Sequence, residues 1–288
     1  MNVLRLLFFA MLLVACSSRK QVAKSTSSDT VIYSSNDTLL KKAVETVKVN
    51  SIVEPHKNLI NKTVNTNKDS IYFIKKATHN TWNELLKKHV SEEGTVNYLA
   101  FKSDRDKLLD YINYLGNNMP LEQWQKHDIL AYWINAYNAM TIDLILRHYP
   151  VKSIKDINDP WKQRYWKLGD KWYNLDDIEH NILRKMDEPR IHFAIVCASY
   201  SCPKLQNKVF TASNLDVQLT QATKAFLNDS ERNSITKDTL ELSKIFQWFG
   251  KDFKKNGSLI DFLNQYSEIE ISDKAKIKYK DYDWALNE

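Results

Sequence analysis

Ile129-Leu130-Ala131-Tyr132-Trp133-Ile134-Asn135-Ala136-Tyr137-Asn138-Ala139-Met140-Thr141-Ile142-Asp143-Leu144-Ile145-Leu146 is apolar nearly all round. At about 100° per residue, Ile129, Leu130, Trp133, Ile134, Tyr137, Met140, Leu144 and Ile145 form one broad stripe. Ala131, Ala136, Ala139, Ile142 and Leu146 occupy the opposite side. The pattern predicts a central buried helix from His127 to Tyr149, ended by Pro150. Asn135, Asn138 and Asp143 interrupt it, so it does not read as a membrane span.

The elements on either side are predicted to pack on this helix. Upstream, Thr81 and Glu84 fit a capping box opening a helix through His89. Val96–Phe101 reads as a short strand. Ser103 followed by Leu108, Leu109, Ile112 and Leu115 reads as an amphipathic helix. Downstream, Tyr165–Leu168 and Lys171–Leu175 flank Gly169-Asp170 as a hairpin. Asp176 to about Lys185 reads as a helix with Ile178, Ile182 and Met186 on one face. Ile191–Val196 is a short apolar run and reads as a buried strand. Ser213 with Asp216 is expected to cap a further helix. Ile235–Leu242 reads as a second hairpin around Lys237-Asp238. Lys244–Phe253 and Leu259–Tyr266 read as helices, and Ile277–Trp284 as a last strand. Helices and hairpins interleave without βαβ alternation. The expected class is α+β: a helix-rich single domain with a central buried helix, hairpins and a small, mainly antiparallel sheet.

The ends of the chain read differently from its middle. Arg5, the apolar run Leu6–Val14 and Leu13-Val14-Ala15-Cys16 resemble a bacterial lipoprotein signal, with residues 1–15 removed and Cys16 lipidated. Residues 16–76, rich in Ser, Thr, Asn and Lys, read as a flexible tether. The globular domain is then 77–288. Residues 17–76 hold 11 Lys/Arg against 5 Asp/Glu, and 77–288 hold 29 against 30. The basic excess of the whole chain therefore belongs to the tether, and a nucleic-acid face is not suggested. Only 5 glycines are present and no Walker or Rossmann pattern occurs, which disfavours a phosphate loop. No cofactor is implied.

Chemistry-bearing residues gather where the predicted strand ends, at His192 and Cys197-Ala198-Ser199-Tyr200-Ser201-Cys202-Pro203. Two of the chain's three cysteines are here. Cys197 has three open readings: a thiolate nucleophile, a small buried hydrophobe, or half of a loop disulfide with Cys202. Along an extended chain, His192 and Cys197 would lie about 16 Å apart on opposite faces, so His180 is the freer basic partner. The Cys and His spacings match no common zinc site. Glu179 falls inside an apolar stripe, either orienting a site group or pairing with Arg184 or Arg190. Asn135 is a candidate to stabilise developing charge, while Asn138, Ser201 and Trp133 are candidates for the lining of a cleft.

Four separated segments carry a resemblance. They are Tyr132-Trp133-Ile134-Asn135-Ala136-Tyr137-Asn138-Ala139, Leu175-Asp176-Asp177-Ile178-Glu179-His180, the His192–Cys197 corner through Ser201-Cys202-Pro203, and Tyr282-Asp283-Trp284-Ala285-Leu286-Asn287. Together they resemble the domain-of-unknown-function 547 family across roughly residues 80–287. The resemblance implies a recurring polar set at Asn135, Asn138, Glu179, His180, His192, Cys197 and Ser201. It brings no substrate, since the family's molecular function is unassigned. The expectation is a lipid-anchored protein of the bacterial cell envelope, joined to the membrane through Cys16, whose other partner is an envelope peptide or a small molecule. Whether it is a cysteine-dependent acyl-transfer enzyme or amide hydrolase, or a non-catalytic binding domain, the residues leave open.

Overall fold

The computed structural model describes residues 76–288, together with four two-residue strands upstream. Those strands pair antiparallel: β1 (Val31–Ile32) with β4 (Phe73–Ile74), and β2 (Asn65–Thr66) with β3 (Asp69–Ser70). The leader, Cys16 and the rest of the expected tether lie outside the described residues.

The central helix is α4, Lys126–His148, and all but its ends are buried. Its first turn is closed by a capping box between Gln125 and Asp128. Among the described residues it is the one helix long and apolar enough to cross a membrane, but it is sheathed by protein. Packed around it are α1 (Asn80–His89), α2 (Tyr98–Phe101) and α3 (Arg105–Gly116). The hairpin of β5 (Trp166–Leu168) and β6 (Lys171–Tyr173) turns at Gly169, whose φ of 57° suits glycine. These elements share one hydrophobic core with α4.

A second core is largely aromatic. Phe193 lies with its ring 5.2 Å from Phe226, 5.7 Å from Phe246 and 5.7 Å from Phe253. The surrounding elements are α5 (Leu215–Leu227), α6 (Ile245–Trp248), α7 (Gly250–Phe253) and α8 (Leu259–Asn264). Beside them a three-stranded sheet pairs β7 (Ser234–Ile235) antiparallel to β8 (Thr239–Leu242), and β8 parallel to β9 (Lys276–Tyr279). The domain is α+β and helix-rich, with a buried apolar helix and small sheets, as expected.

Several local expectations are corrected. Ile191–Val196 is not a strand: Pro189–Phe193 is a 3₁₀ helix and the chain then turns. A short apolar run does not distinguish a buried strand from a buried helical turn by periodicity alone. Here the turn is required, because Phe193 enters the aromatic core while Ile191, Ile195 and Val196 enter the larger one. Val96 makes only a bridge to Val90, and Tyr98–Phe101 is helical. Asp177–Ile182 is a π-helix followed by a 3₁₀ turn over Leu183–Met186. Neither α1 nor α5 carries a side-chain cap, so Thr81 and Ser213 do not cap. Lys244–Phe253 breaks into α6 and α7. The last strand ends at Tyr279, and 282–287 instead runs along the cysteine loop. There Tyr200 N–H donates to Ala285 O (2.7 Å) and Asn287 N–H to Ala198 O (3.1 Å).

Asp143 is fully buried on α4 and accepts from Arg105 Nε (2.9 Å), Arg147 Nε (2.7 Å) and Trp166 Nε1 (2.7 Å). It ties α3 and β5 to the central helix. Asp143→Ala leaves the buried Trp166 Nε1–H without its acceptor and two part-exposed guanidiniums without their counter-charge, and should cost about 3 kcal/mol. Urea unfolding would show this as a lower midpoint at unchanged slope. A cost under about 0.5 kcal/mol, as at an indifferent surface site, would contradict the brace.

Candidate functional site

Two asparagines of α4 build the floor. Asn138 donates from Nδ2 to Ala194 O (2.9 Å) and accepts from Val196 N–H at Oδ1 (3.0 Å). Its amide thus does for the cysteine corner what a neighbouring strand would have done. Asn135 holds Phe210 in the same two-handed way, accepting from its N–H (3.1 Å) and donating to its carbonyl (2.8 Å). Its second amide hydrogen goes to Ala131 O (2.9 Å). Both hydrogens of Asn135 are engaged, so it braces the chain and offers no donor to an oxyanion. Trp133 is core, edge-on to Tyr132 at 5.0 Å.

Beyond the brace the chain folds sharply at Ala198, which is buried with φ at 60°. A non-glycine residue in the left-handed region is strained, and such strain gathers at functional sites. The turn brings Cys197 and Cys202 to the same two hydroxyls. Ser199 Oγ lies 3.1 Å from Cys197 Sγ and 3.2 Å from Cys202 Sγ. Tyr282 Oη lies 3.4 Å and 3.2 Å from them. Cys197 N–H also donates to Cys202 Sγ (3.1 Å). Both thiols are free, so the disulfide reading of this corner is not the state in the structure. Cys197 is half-buried and Cys202 is buried.

These donors act unequally on the two sulfurs. Burial alone would push the Cys202 thiol up. Donation from Cys197, Ser199 and Tyr282 outweighs it and pulls Cys202 down to about 6. Cys197 is raised well above an ordinary thiol, first by its bond to Cys202 and then by burial. The two thiols therefore ionise as a coupled unit, with negative charge drawn to Cys202. The Tyr282 phenol, raised by burial, remains protonated as a donor. Ser201 Oγ accepts Asp283 N–H (2.8 Å), which keeps the 282–287 segment, and with it Tyr282, against the sulfurs.

The π-helix supplies the second wall. Its extra residue per turn buries Glu179 against Tyr137, whose hydroxyl donates to Oε2 (3.1 Å). π-bulges are frequent at functional sites. Burial raises Glu179 to about 7; Tyr137 and Arg184 oppose the rise, while Asp176 and Cys202 add to it. Neither Arg184 nor Arg190 hydrogen-bonds to Glu179: Arg190 pairs with Glu188 and Arg184 with Asp252.

Arg184 joins the remaining groups. It donates to Asp252 through Nε (2.6 Å) and Nη2 (3.0 Å), and to His180 Nδ1 (3.1 Å). A guanidinium can only donate, so neutral His180 accepts at Nδ1 and carries its hydrogen on Nε2. Burial, then the Arg184 charge, lowers the pKa of His180, which stays partly exposed. His192 is buried, stacks on Phe249 at 4.0 Å and donates from Nε2 to Asp252 (2.8 Å). Burial lowers its pKa, with Asp252 opposing. Neither histidine hydrogen-bonds to Cys197. The set therefore comprises the thiol–hydroxyl cluster, the Glu179–Tyr137 pair and the His180–Arg184–Asp252–His192 chain. His180 Nδ1 lies 4.0 Å from Glu179 Oε1, which links the last two.

Sequence reasoning missed Ser199, Tyr137 and Asp252 as members of the site, along with the role of Tyr282. Tyr282 stood in a quoted motif, but nothing local linked it to a loop 80 residues away. Asp252 carried no signal at all. An aromatic strip was missed too: Tyr282 packs 4.6 Å from Trp284 and 4.8 Å from Trp248, and Trp284 5.9 Å from Trp161. Among the described residues, no group of His, Cys, Asp and Glu is placed to hold a metal ion.

A raised carboxyl pKa means that the fold prefers the protonated form. The cost of ionising Glu179 grows as pH rises from its ordinary 4.5 and is complete above about 7. Glu179→Gln should therefore match wild type near pH 4 and exceed it at pH 8 by on the order of 3 kcal/mol. Thermal melts across that range test this, and a difference independent of pH would remove the assignment.

Residues 121–227 match the family described as "Protein of unknown function, DUF547". No curated protein and no solved structure matches the chain.

Proposed function

We propose, for a chain whose residues 121–227 are a region of the DUF547 family, a lipid-anchored envelope protein that carries out cysteine-dependent acyl transfer or amide hydrolysis. The observation behind this reading is the pair of free thiols that meet at the hydroxyls of Ser199 and Tyr282. Cys197 is the less buried of the two residues and serves as the nucleophile. As its sulfur bonds to the carbonyl carbon, its proton passes to the Cys202 thiolate. Tyr282 and Ser199 donate to the oxygen that gains charge. Breaking the acyl bond releases the amine, which takes the proton from Cys202 and leaves a thioester on Cys197. Water or an acceptor amine then attacks the thioester and gives its proton to the Cys202 thiolate; the carbon–sulfur bond breaks, and Cys197 leaves as a thiolate that takes this proton back from Cys202, restoring the starting state. Glu179 orients His180, and the His192–Asp252 pair holds Arg184 in place. The second reading is a non-catalytic domain that binds an envelope peptide or small molecule. It is favoured by the half-exposed aromatic strip beside the cysteines.

Alkylation and acylation of the full chain separate the two. Iodoacetamide should label Cys197 with an apparent pKa above the ~8.5 of a free thiol, and Cys202→Ala, which removes the group that raises it, should return that value toward ordinary. p-Nitrophenyl acetate should leave an acetyl group on Cys197, detected by mass spectrometry. Cys197→Ala should abolish this while the melting temperature shifts by only a few degrees. An inert Cys197 in folded protein would leave the binding reading.

Anchoring rests on the leader alone. Cys16→Ser should block incorporation of labelled palmitate and move the protein from the membrane to the soluble fraction. Unchanged fractionation would rule out Cys16 as the anchor.

A further inference from the structure

We propose that Cys197 and Cys202 close reversibly into a disulfide by exchange with a small external disulfide, and that this bond turns the thiol site off. Only its consequence for activity rests on the reading above; the redox chemistry stands on geometry. Three observations carry it. Both sulfurs touch the same two hydroxyl oxygens, at 3.1–3.4 Å. The left-handed Ala198 and the Cys202 N–H bond to Ser199 O (3.0 Å) already fold the intervening loop back on itself. The two residues also differ in exposure, Cys197 being half-buried and Cys202 buried. A partly exposed cysteine backed by a buried one is an arrangement that suits thiol exchange.

The steps balance with an external disulfide RSSR. Cys197, its proton passed to solvent, attacks RSSR, forms a mixed disulfide and releases one RS⁻, which takes up a proton. Cys202, also deprotonated, then attacks the Cys197 sulfur and releases the second RS⁻, which is protonated in turn. The two protein thiols lose two electrons and RSSR becomes two RSH. In reverse, an external thiolate attacks Cys197, and Cys202 leaves as an anion held by Cys197 N–H, Ser199 and Tyr282. A stabilised leaving thiolate departs faster, and a stabilised reduced form makes the disulfide easier to reduce. The bond therefore behaves as a switch and not as a permanent staple.

The test equilibrates the full chain, with Cys16→Ser to remove the third thiol, in mixtures of reduced and oxidised glutathione. Samples are then alkylated and digested for mass spectrometry. The expected result is a reversible two-electron transition between free and bridged 197–202. Cys202→Ser should stop at glutathione on Cys197. Ser199→Ala or Tyr282→Phe removes a donor from the thiolate and should shift the equilibrium about tenfold toward the disulfide. Acetylation by p-nitrophenyl acetate should fall in proportion to the bridged fraction. The proposal is overturned if excess oxidised glutathione yields no bridge, if excess reduced glutathione does not reopen it, or if the bridged protein still acetylates at Cys197. Should fully reduced protein never acetylate while the bridge forms and reopens, the catalytic reading fails and the redox pair stands.

Discussion

The structure depends on the two-handed grip of Asn138 on Ala194 and Val196. The segment before the cysteines is buried, yet it is neither in a sheet nor in a long helix. Its backbone groups need partners, and a buried group without one costs about 1–3 kcal/mol. The Asn138 amide supplies two of them from inside the core. The chain is thereby free to turn, to send Phe193 one way and Ile195 the other, and to fold back at Ala198. Asn135 does the same for Phe210, where the chain returns toward α5. An apolar central helix with two inward amides is thus both the core and the template for the loops upon it.

The loop so placed is completed by segments distant in sequence. The C-terminal stretch 282–287 is stitched to 198–201 by main-chain bonds, and this puts the Tyr282 hydroxyl against both sulfurs. Asp252 arrives from the second core and fixes Arg184 and His192 together. The π-helix turns Glu179 inward to Tyr137 and leaves His180 facing outward. Each device positions a polar side chain where local helix or strand geometry would not. The left-handed Ala198 and the buried carboxyl are both costs that the two cores sustain.

Much of the fold was legible. The all-round apolar pattern of 129–146 predicted a buried helix, because no other secondary structure hides both faces of so long a segment. Gly169-Asp170 and Lys237-Asp238 predicted their hairpins, because turns constrain backbone angles locally. The failures have a common cause. Ile191–Val196 is too short to reveal its period, and its partner was a side chain. Thr81 and Ser213 satisfied a capping pattern, but the chain entered each helix at another residue.

For the site, the sequence by itself determined the ingredients: Cys197, Cys202, His192, Glu179, His180 and the helix amides stand out because polar groups in apolar frames need a reason. Only the tertiary structure decided their partners. It coupled Cys197 with Cys202, Ser199 and Tyr282, assigned His192 to Asp252 and not to a thiol, and gave both asparagines to the main chain. The physical reason is range. Propensity and periodicity act over a few residues, whereas a hydrogen bond between residues 80 positions apart depends on how every intervening element packs.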